Sequence, residues 1–172
     1  MRPDNPADEF EQVFAATSTN VLAYCLRHLP RADAEDVVGE TYVIAWRRWH
    51  QAQPTLPWLL GVARNIIRAQ HRAAHRRFAL NERLQQWDAL TAPAAEVSAL
   101  DRANALSALA ALSDDDREAL LLTAWDGLTA AEAAGVLGCS KATFQVRLHR
   151  ARRRLDLRLA EPQGLAIQPQ ES

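Results

Sequence analysis

An all-α fold of two small helical bundles joined by a flexible linker is predicted by three features of this 172-residue sequence. Apolar residues recur at helical spacing through most of the chain, and no segment shows a convincing period-two alternation. Helix start and stop signals divide the chain into helix-sized lengths. Between residues 79 and 104 the period loosens, in a stretch rich in Ala, Gln and Thr that contains Pro93. The chain thus reads as a first bundle at 8–78, a linker at 79–104, a second bundle at 105–160 and a disordered tail at 161–172.

In the first bundle a helix from about Asp8 to His28 carries the stripe Phe10, Phe14, Thr17, Val21 and Cys25, and it ends before Pro30. A second helix starts near Asp33, with Asp36 three residues on, and runs to about Trp49. The segment HQAQPTLP, from His50 to Pro57, breaks the pattern with two prolines, and Pro57 suits the first turn of a third helix reaching about Phe78. The inward stripe of that helix is Leu59, Val62, Ile66 and Ala73. Of the tryptophans around the proline loop, Trp46 or Trp58 is expected in the core.

Leu80 to Leu90 has the makings of a helical turn or two inside the linker. The second bundle opens around Leu106, and Ser113 with Asp116 marks a helix start. Leu120, Leu121 and Trp125 supply its apolar mass, and Gly127 ends it. Next comes LTAAEAAGVLGCSKATFQVRLHRARRRL, residues 128–155. Thr129 and Glu132 have the capping-box spacing, Gly138-Cys139-Ser140 supplies a tight turn, and Ser140 can cap the following helix. In that helix Phe144, Leu148, Ala151, Leu155 and Leu159 fall on one apolar face.

Composition excludes several classes. The formal net charge is −1, yet the charge is unevenly spread, so the pI of about 6.5 is a poor guide to partners. No apolar run approaches the about 20 residues needed to span a membrane. The segment MRPDNPADEF lacks the apolar core of a secretion signal, so a cytoplasmic location is expected. Cys25 and Cys139 are isolated; Cys25 reads as core and Cys139 as a small turn residue, with no disulfide between them. His71 and His75 have an i, i+4 spacing that suits zinc, but the arginines around them oppose a cation. No metal and no cofactor are expected. A nucleophile–base pair and a phosphate-binding glycine loop are also missing, so a helical enzyme is disfavoured.

The face of the last helix opposite its apolar stripe carries Ala142, Gln145, Val146, His149, Arg150 and Arg153. From Lys141 to Arg158 there are seven basic residues against the single acid Asp156. A helix packed on one side and studded with donors on the other is suited to a DNA major groove, and its charge suits phosphate neutralisation. The third helix of the first bundle has its own pattern. Arg64, Arg68, Arg72, Arg76 and Arg77 occur with no acid between Leu59 and Leu80, beside Trp46, Trp49 and Trp58. Arginines for phosphates beside aromatics for bases is the pairing used on single strands. The acidic start of the second helix, Glu35, Asp36 and Glu40, is accounted for equally by its favourable place near a helix N-terminus.

The stretches AEDVVGETYVIAWRRW, PWLLGVARNIIRAQHRAAHRR and LSDDDREALLLTAWDGLTAAEAAGVLGCSKATFQVRLHRARRRL together resemble an extracytoplasmic-function, or group 4, sigma factor of bacterial RNA polymerase. The resemblance covers both bundles in the order of the family's regions two and four, about four-fifths of the chain.

It implies an alternative sigma factor that binds core RNA polymerase and promoter DNA without catalysing a covalent step. In the family the second helix is the docking surface for polymerase, which makes Glu35, Asp36, Glu40, Arg47 and Arg48 contact candidates. The loop from Trp49 to Pro57, with Asn65, corresponds to the part that captures a flipped base of the minus-10 element. Trp49 and Trp58 offer stacking rings, the Asn65 amide can donate and accept, and Arg64, Arg68 and Arg72 would hold the melted strand. Lys141, Ala142, Gln145, Val146, His149, Arg150 and Arg153 would read the minus-35 duplex, with Arg152 and Arg153 nearer the backbone. An anti-sigma protein is an implied partner.

Two positions depart from the family pattern. Gly39 stands where a polar residue is usual, which bears on the polymerase contact. Ala142 and Gln145 stand where small residues and a lysine are frequent, which bears on the bases read. A stand-alone helix-turn-helix regulator with a helical dimerisation domain is the competing reading, and it predicts tight duplex binding without polymerase.

Overall fold

The computed structural model describes residues 6–52, 54–73 and 99–160, which form eight helices and no strand. The first bundle comprises α1 (Pro6–Leu26), α2 (Arg31–Arg47), the single turn α3 (Trp49–Ala52) and α4 (Leu56–Ala73). The second comprises α5 (Ala99–Ala110), α6 (Asp114–Ala124), α7 (Ala130–Leu137) and α8 (Lys141–Ala160).

Proline sets the first helix boundaries. Pro6 occupies the opening turn of α1, where its missing N–H costs nothing, and Asp8 and Glu9 oppose the helix dipole there. The Leu29 amide closes onto the Cys25 carbonyl at 2.9 Å, and Pro30 then takes an extended conformation at the start of α2. Helices α1, α2 and α4 pack on one another around Val21, Tyr24, Cys25, Val37, Ala45, Leu59 and Ile66. The Thr17 and Tyr42 hydroxyls, 2.8 Å apart, join α1 to α2.

One aromatic sits differently from the sequence expectation, and of the two tryptophans considered for the core it is Trp58 that packs there. Phe14 lies edge-on to Tyr42 with its outer side exposed. Trp46 is 49% exposed and rests its edge on Phe10 at 5.0 Å, whereas Trp58 is the tryptophan that packs partly against the core. Where a break was expected after Trp49, the Gln51 and Ala52 amides reach back to the Arg48 carbonyl and make the turn α3.

The second bundle begins six residues before the expected boundary at 105. The Arg117 guanidinium explains how α5 ends: it donates to the carbonyls of Leu109, Ala110 and Leu112 at 3.3–3.4 Å, capping the last turn from outside. Ser113 accepts from the Asp116 amide at 3.3 Å to start α6, and Asp114, Asp115 and Asp116 line its positive end. Leu122 takes the fully buried place on α6, while Trp125 is 52% exposed at its end.

The helix-turn-helix follows its sequence signals closely. Thr129 and Glu132 close a complete capping box on α7. Gly138 takes φ +67° and ends the helix, a left-handed conformation that a side chain would strain. The Ser140 hydroxyl then caps α8 by accepting from the Thr143 amide at 3.1 Å. Phe144, Leu148 and Ala151 are buried and Leu155 partly so, but Leu159 lies exposed in the last turn of α8.

The two bundles touch, and buried polar chemistry joins them. Gly61 of α4 meets α7 so closely that a Cβ built there would lie 3.9 Å from the Val136 Cα. Beside this crossing Arg64 grips Glu118 of α6 with two hydrogen bonds, Nε to Oε1 at 2.8 Å and Nη2 to Oε2 at 3.0 Å. The Tyr24 hydroxyl donates to the same Oε1 at 2.7 Å. Arg27 pairs with Asp126 at 2.5 Å and lies over the Tyr24 ring, 5.2 Å from its centroid. Arg64 and Glu118 are only 6% and 8% exposed, so water screens this contact little. One donor goes unmatched: Arg27 Nη1 is buried without a partner among the described residues.

Burial pushes the Glu118 carboxyl up, but the hydrogen bond from Arg64, the charges of His28 and Arg64 and the Tyr24 hydroxyl outweigh it. The carboxyl is therefore held below its ordinary value. Asp126 goes the other way: burial outweighs Arg27 and its carboxyl is pushed up. Burial and the Glu118 charge also push the Tyr24 hydroxyl well up, keeping it a proton donor.

Because the folded Glu118 value is depressed, its stabilisation is present above the ordinary carboxylate value of about 4.3 and is lost as pH falls through the folded value. Glu118→Gln is expected to destabilise by about 3 kcal/mol at pH 7, since it unpairs a buried arginine. Urea unfolding of wild type and variant should show that gap narrowing toward pH 3. A pH-independent gap would mean that the carboxylate charge is not what Arg64 requires.

The cysteines give a second test. Both are free, and burial raises the Cys25 thiol to about 12, whereas Cys139 is half-buried in the α7–α8 turn. Iodoacetamide on the native protein should label Cys139, and Cys25 only after unfolding, as read by peptide mass spectrometry.

Candidate nucleic-acid interface

Helix α8 presents one continuous polar face. Lys141, Ala142, Gln145, Val146, His149, Arg150, Arg152 and Arg153 are all exposed, at the spacing that follows from burying Phe144, Leu148 and Ala151 on the other side. The structure therefore brings all seven expected duplex-reading residues onto one accessible surface. Helix α7 sets the tilt of this face through the Gly138 turn, and α6 supports it from behind.

Acidic residues shape the edge of that surface, and sequence reading did not find them. Asp116 pairs with Arg154, and Asp115 lies 3.7 Å from Arg147. Together with Ala142, Val146 and Arg150 they line an open groove of about 550 Å³ beside the reading face. The signal was present as the run Asp114-Asp115-Asp116, which reads equally well as a helix start.

The first bundle carries its candidates on two surfaces. Trp49 is half-buried with its edge on Phe10 at 5.4 Å. It borders an open groove of about 540 Å³ lined also by Glu9, Gln12, Val13, Ala16, His50, Pro54 and Thr55. A groove with one aromatic wall and several hydrogen-bonding groups can accept a planar ring. Asn65 is exposed on α4 outside that lining, next to the exposed Arg68. Arg64 differs from Arg68: its guanidinium is committed to Glu118. Arg72 lies in the last turn of α4, and its side chain, like Arg76, Arg77 and the His71–His75 pair, falls outside the described residues.

Helix α2 turns Glu35, Asp36, Glu40 and Arg47 to solvent, with Arg48 exposed at its end. Glu35 pairs with Arg31 one turn earlier at 2.9 Å. Gly39 faces open space, so a larger residue would fit there. Between the charges sit Val43 and Trp46, each 49% exposed, which the sequence reading had not placed on this surface. Apolar side chains rimmed by charge are the composition of a protein-binding patch.

Among the described residues no group of three or more His, Cys, Asp or Glu side chains is placed to hold a metal ion. No described helix is long and apolar enough to cross a membrane.

The family model for sigma-70 region 2 matches residues 13–77, and that for sigma-70 region 4 matches residues 102–155. The ECF RNA polymerase sigma factor SigL of Mycobacterium tuberculosis is 37% identical over 135 residues, covering 76% of this chain and 76% of SigL. The RNA polymerase sigma factor CnrH of Cupriavidus metallidurans is 33% identical over 140 residues, 74% of this chain and 73% of that one. Among solved structures, the sigma factor RpoE in complex with the anti-sigma factor NepR from Bartonella quintana superposes with a TM-score of 0.63 at 26% identity. It covers 87% of this chain and 96% of that chain. CnrH in complex with the cytosolic domain of CnrY gives 0.59 at 31% identity, with 86% and 85% covered. With two region models in order and a relative of this identity and coverage, the chain belongs to the extracytoplasmic-function sigma factors of bacterial RNA polymerase.

Proposed function

We propose that promoter recognition is divided between two faces of this sigma factor. The α8 face reads the minus-35 duplex through Lys141, Ala142, Gln145, Val146, His149, Arg150 and Arg153. The α3–α4 region handles the minus-10 element, with Trp49 stacking on an extruded base, Trp58 supporting the loop, and Asn65, Arg68 and Arg72 on the melted strand. Helix α2 docks on core polymerase with Glu35, Asp36, Glu40, Arg47 and Arg48, and the exposed Val43 and Trp46 supply apolar contact between those charges. The protein is a binding subunit of the cytoplasmic transcription machinery, not an enzyme. An anti-sigma protein is its expected inhibitor, as in the RpoE–NepR complex.

The observation that carries this reading is the exposed basic face of α8, opposite a buried stripe. Core polymerase supplemented with the protein should initiate at a restricted set of promoters, and sequencing those transcripts should reveal two shared upstream elements. Failure to bind or redirect core polymerase would remove the reading.

The two faces make different predictions. Trp49→Ala and Asn65→Ala should spare polymerase binding but slow promoter opening about tenfold or more, the scale expected from losing about 1–3 kcal/mol of stacking or pairing on one base. A template already mismatched over the minus-10 element should recover most of that loss. On the α8 face, Gln145→Ala should relax base preference in the minus-35 element. Arg152→Ala, nearer the DNA backbone, should weaken binding across sequences and reduce the salt slope by about 1.

A further inference from the structure

We infer that Asp115 and Asp116 set the selectivity of the duplex-reading helix by holding Arg147 and Arg154 on α6, which withholds two positive charges from DNA phosphate. This rests on the proposed reading of the minus-35 duplex by the α8 face. It begins from the groove of about 550 Å³ between the start of α6 and α8. Ala142, Val146 and Arg150, three of the proposed base-reading residues, line that groove together with Asp115 and Asp116. A duplex that meets those three side chains comes within reach of the two carboxylates as well.

The acids of α6 are not equivalent. The helix opens on the run Asp114-Asp115-Asp116, and Asp114 pairs within its own helix, with Arg117. Asp115 and Asp116 instead cross to α8, where Asp116 pairs with Arg154 and Asp115 lies 3.7 Å from Arg147. A favourable place at the positive end of a helix accounts for all three charges. It does not account for two of them meeting arginines on a different helix. Arg147 and Arg154 stand two turns apart, so both lie on the flank of α8 that faces α6. Arg150, between them, and Arg152 and Arg153 form no ion pair among the described residues.

Charge gives the pairs a consequence. Each arginine that reaches a phosphate releases counterions and steepens the salt dependence of binding by about 0.9. That gain needs no particular sequence, so it strengthens binding to every duplex without telling one base from another. From Lys141 to Arg158 there are seven basic residues and one acid, Asp156. With two of the seven held on α6, affinity depends more on base-edge contacts and less on phosphate. A target complex has its register fixed by those contacts. A non-specific complex is free to shift until any available arginine meets a phosphate, so freed arginines strengthen it most. The Asp116 side chain is 8% exposed, so salt screens its hold on Arg154 little, whereas that of Asp115 is 60% exposed and its hold on Arg147 is looser.

Near-isosteric neutral variants of the whole chain test this by fluorescence anisotropy. The probes are a random-sequence duplex and a minus-35 duplex from a promoter that the holoenzyme uses. Asp115→Asn and Asp116→Asn should each tighten random-duplex binding several-fold at low salt and raise the salt slope by about 0.9, with a smaller gain on the promoter duplex. Holoenzyme carrying either variant should lose initiation at a several-fold lower concentration of random competitor DNA. Asp115→Asn/Arg147→Gln and Asp116→Asn/Arg154→Gln should return binding and slope to wild-type values, because the withheld charge is gone. Circular dichroism checks the fold of the Asp116 variants, and the exposed Asp115 carries the test if they unfold.

The inference is overturned if the folded single variants bind random duplex no more tightly than wild type, or if the promoter duplex gains as much as the random one. It is also overturned if the gain survives removal of the partner arginine, since the acids would then act by repelling phosphate. Arg152→Ala separates this from the duplex-reading assignment. If that variant leaves binding to both duplexes unchanged, it is the assignment of α8 to DNA that falls.

Discussion

The Glu118 carboxylate is the constraint on which the arrangement depends. It accepts from Arg64 on α4 and Tyr24 on α1, so one buried acid of the second bundle organises two helices of the first. Removing water from three such groups is costly unless each finds a partner, and here every oxygen of the carboxylate is occupied. Around it the apolar residues of both bundles merge into a single buried cluster running from Val21 to Ala151. Two domains that sequence treats as separate therefore share one interior in this state.

That arrangement leaves the recognition surfaces outward. The α8 face, Asn65, Arg68 and the charged side of α2 are all exposed while the seam is closed. The contact fixes the separation of the two faces and occupies Arg64 without covering the reading helix.

Acidic residues tune the same machinery on a smaller scale. Asp115 and Asp116 sit close to Arg147 and Arg154, so part of the charge on α8 is balanced within its own bundle. The arginines opposite the buried stripe remain exposed to solvent. A chain of net charge −1 thus presents a locally basic face because its acids are spread over the other segments, with Asp156 alone between Lys141 and Arg158.

Local rules determined a large part of this protein. The capping box at Thr129, the left-handed Gly138, the Ser140 cap and the four- and three-residue steps from Phe144 to Leu155 each follow from interactions within one or two turns, so the helix-turn-helix and its outward face were legible in sequence. The family resemblance, confirmed by the region matches, followed from the same stretches. What sequence could not contain was any contact made across many residues. The end of α5 depends on Arg117 reaching its last carbonyls, and the exposure of Trp46 and Trp125 depends on which neighbours arrive. Arg64 shows the difference most sharply. By spacing it is one of a row of arginines along a helix, and only the tertiary fold sets it against Glu118, because ion pairing through space carries no periodic mark along the chain.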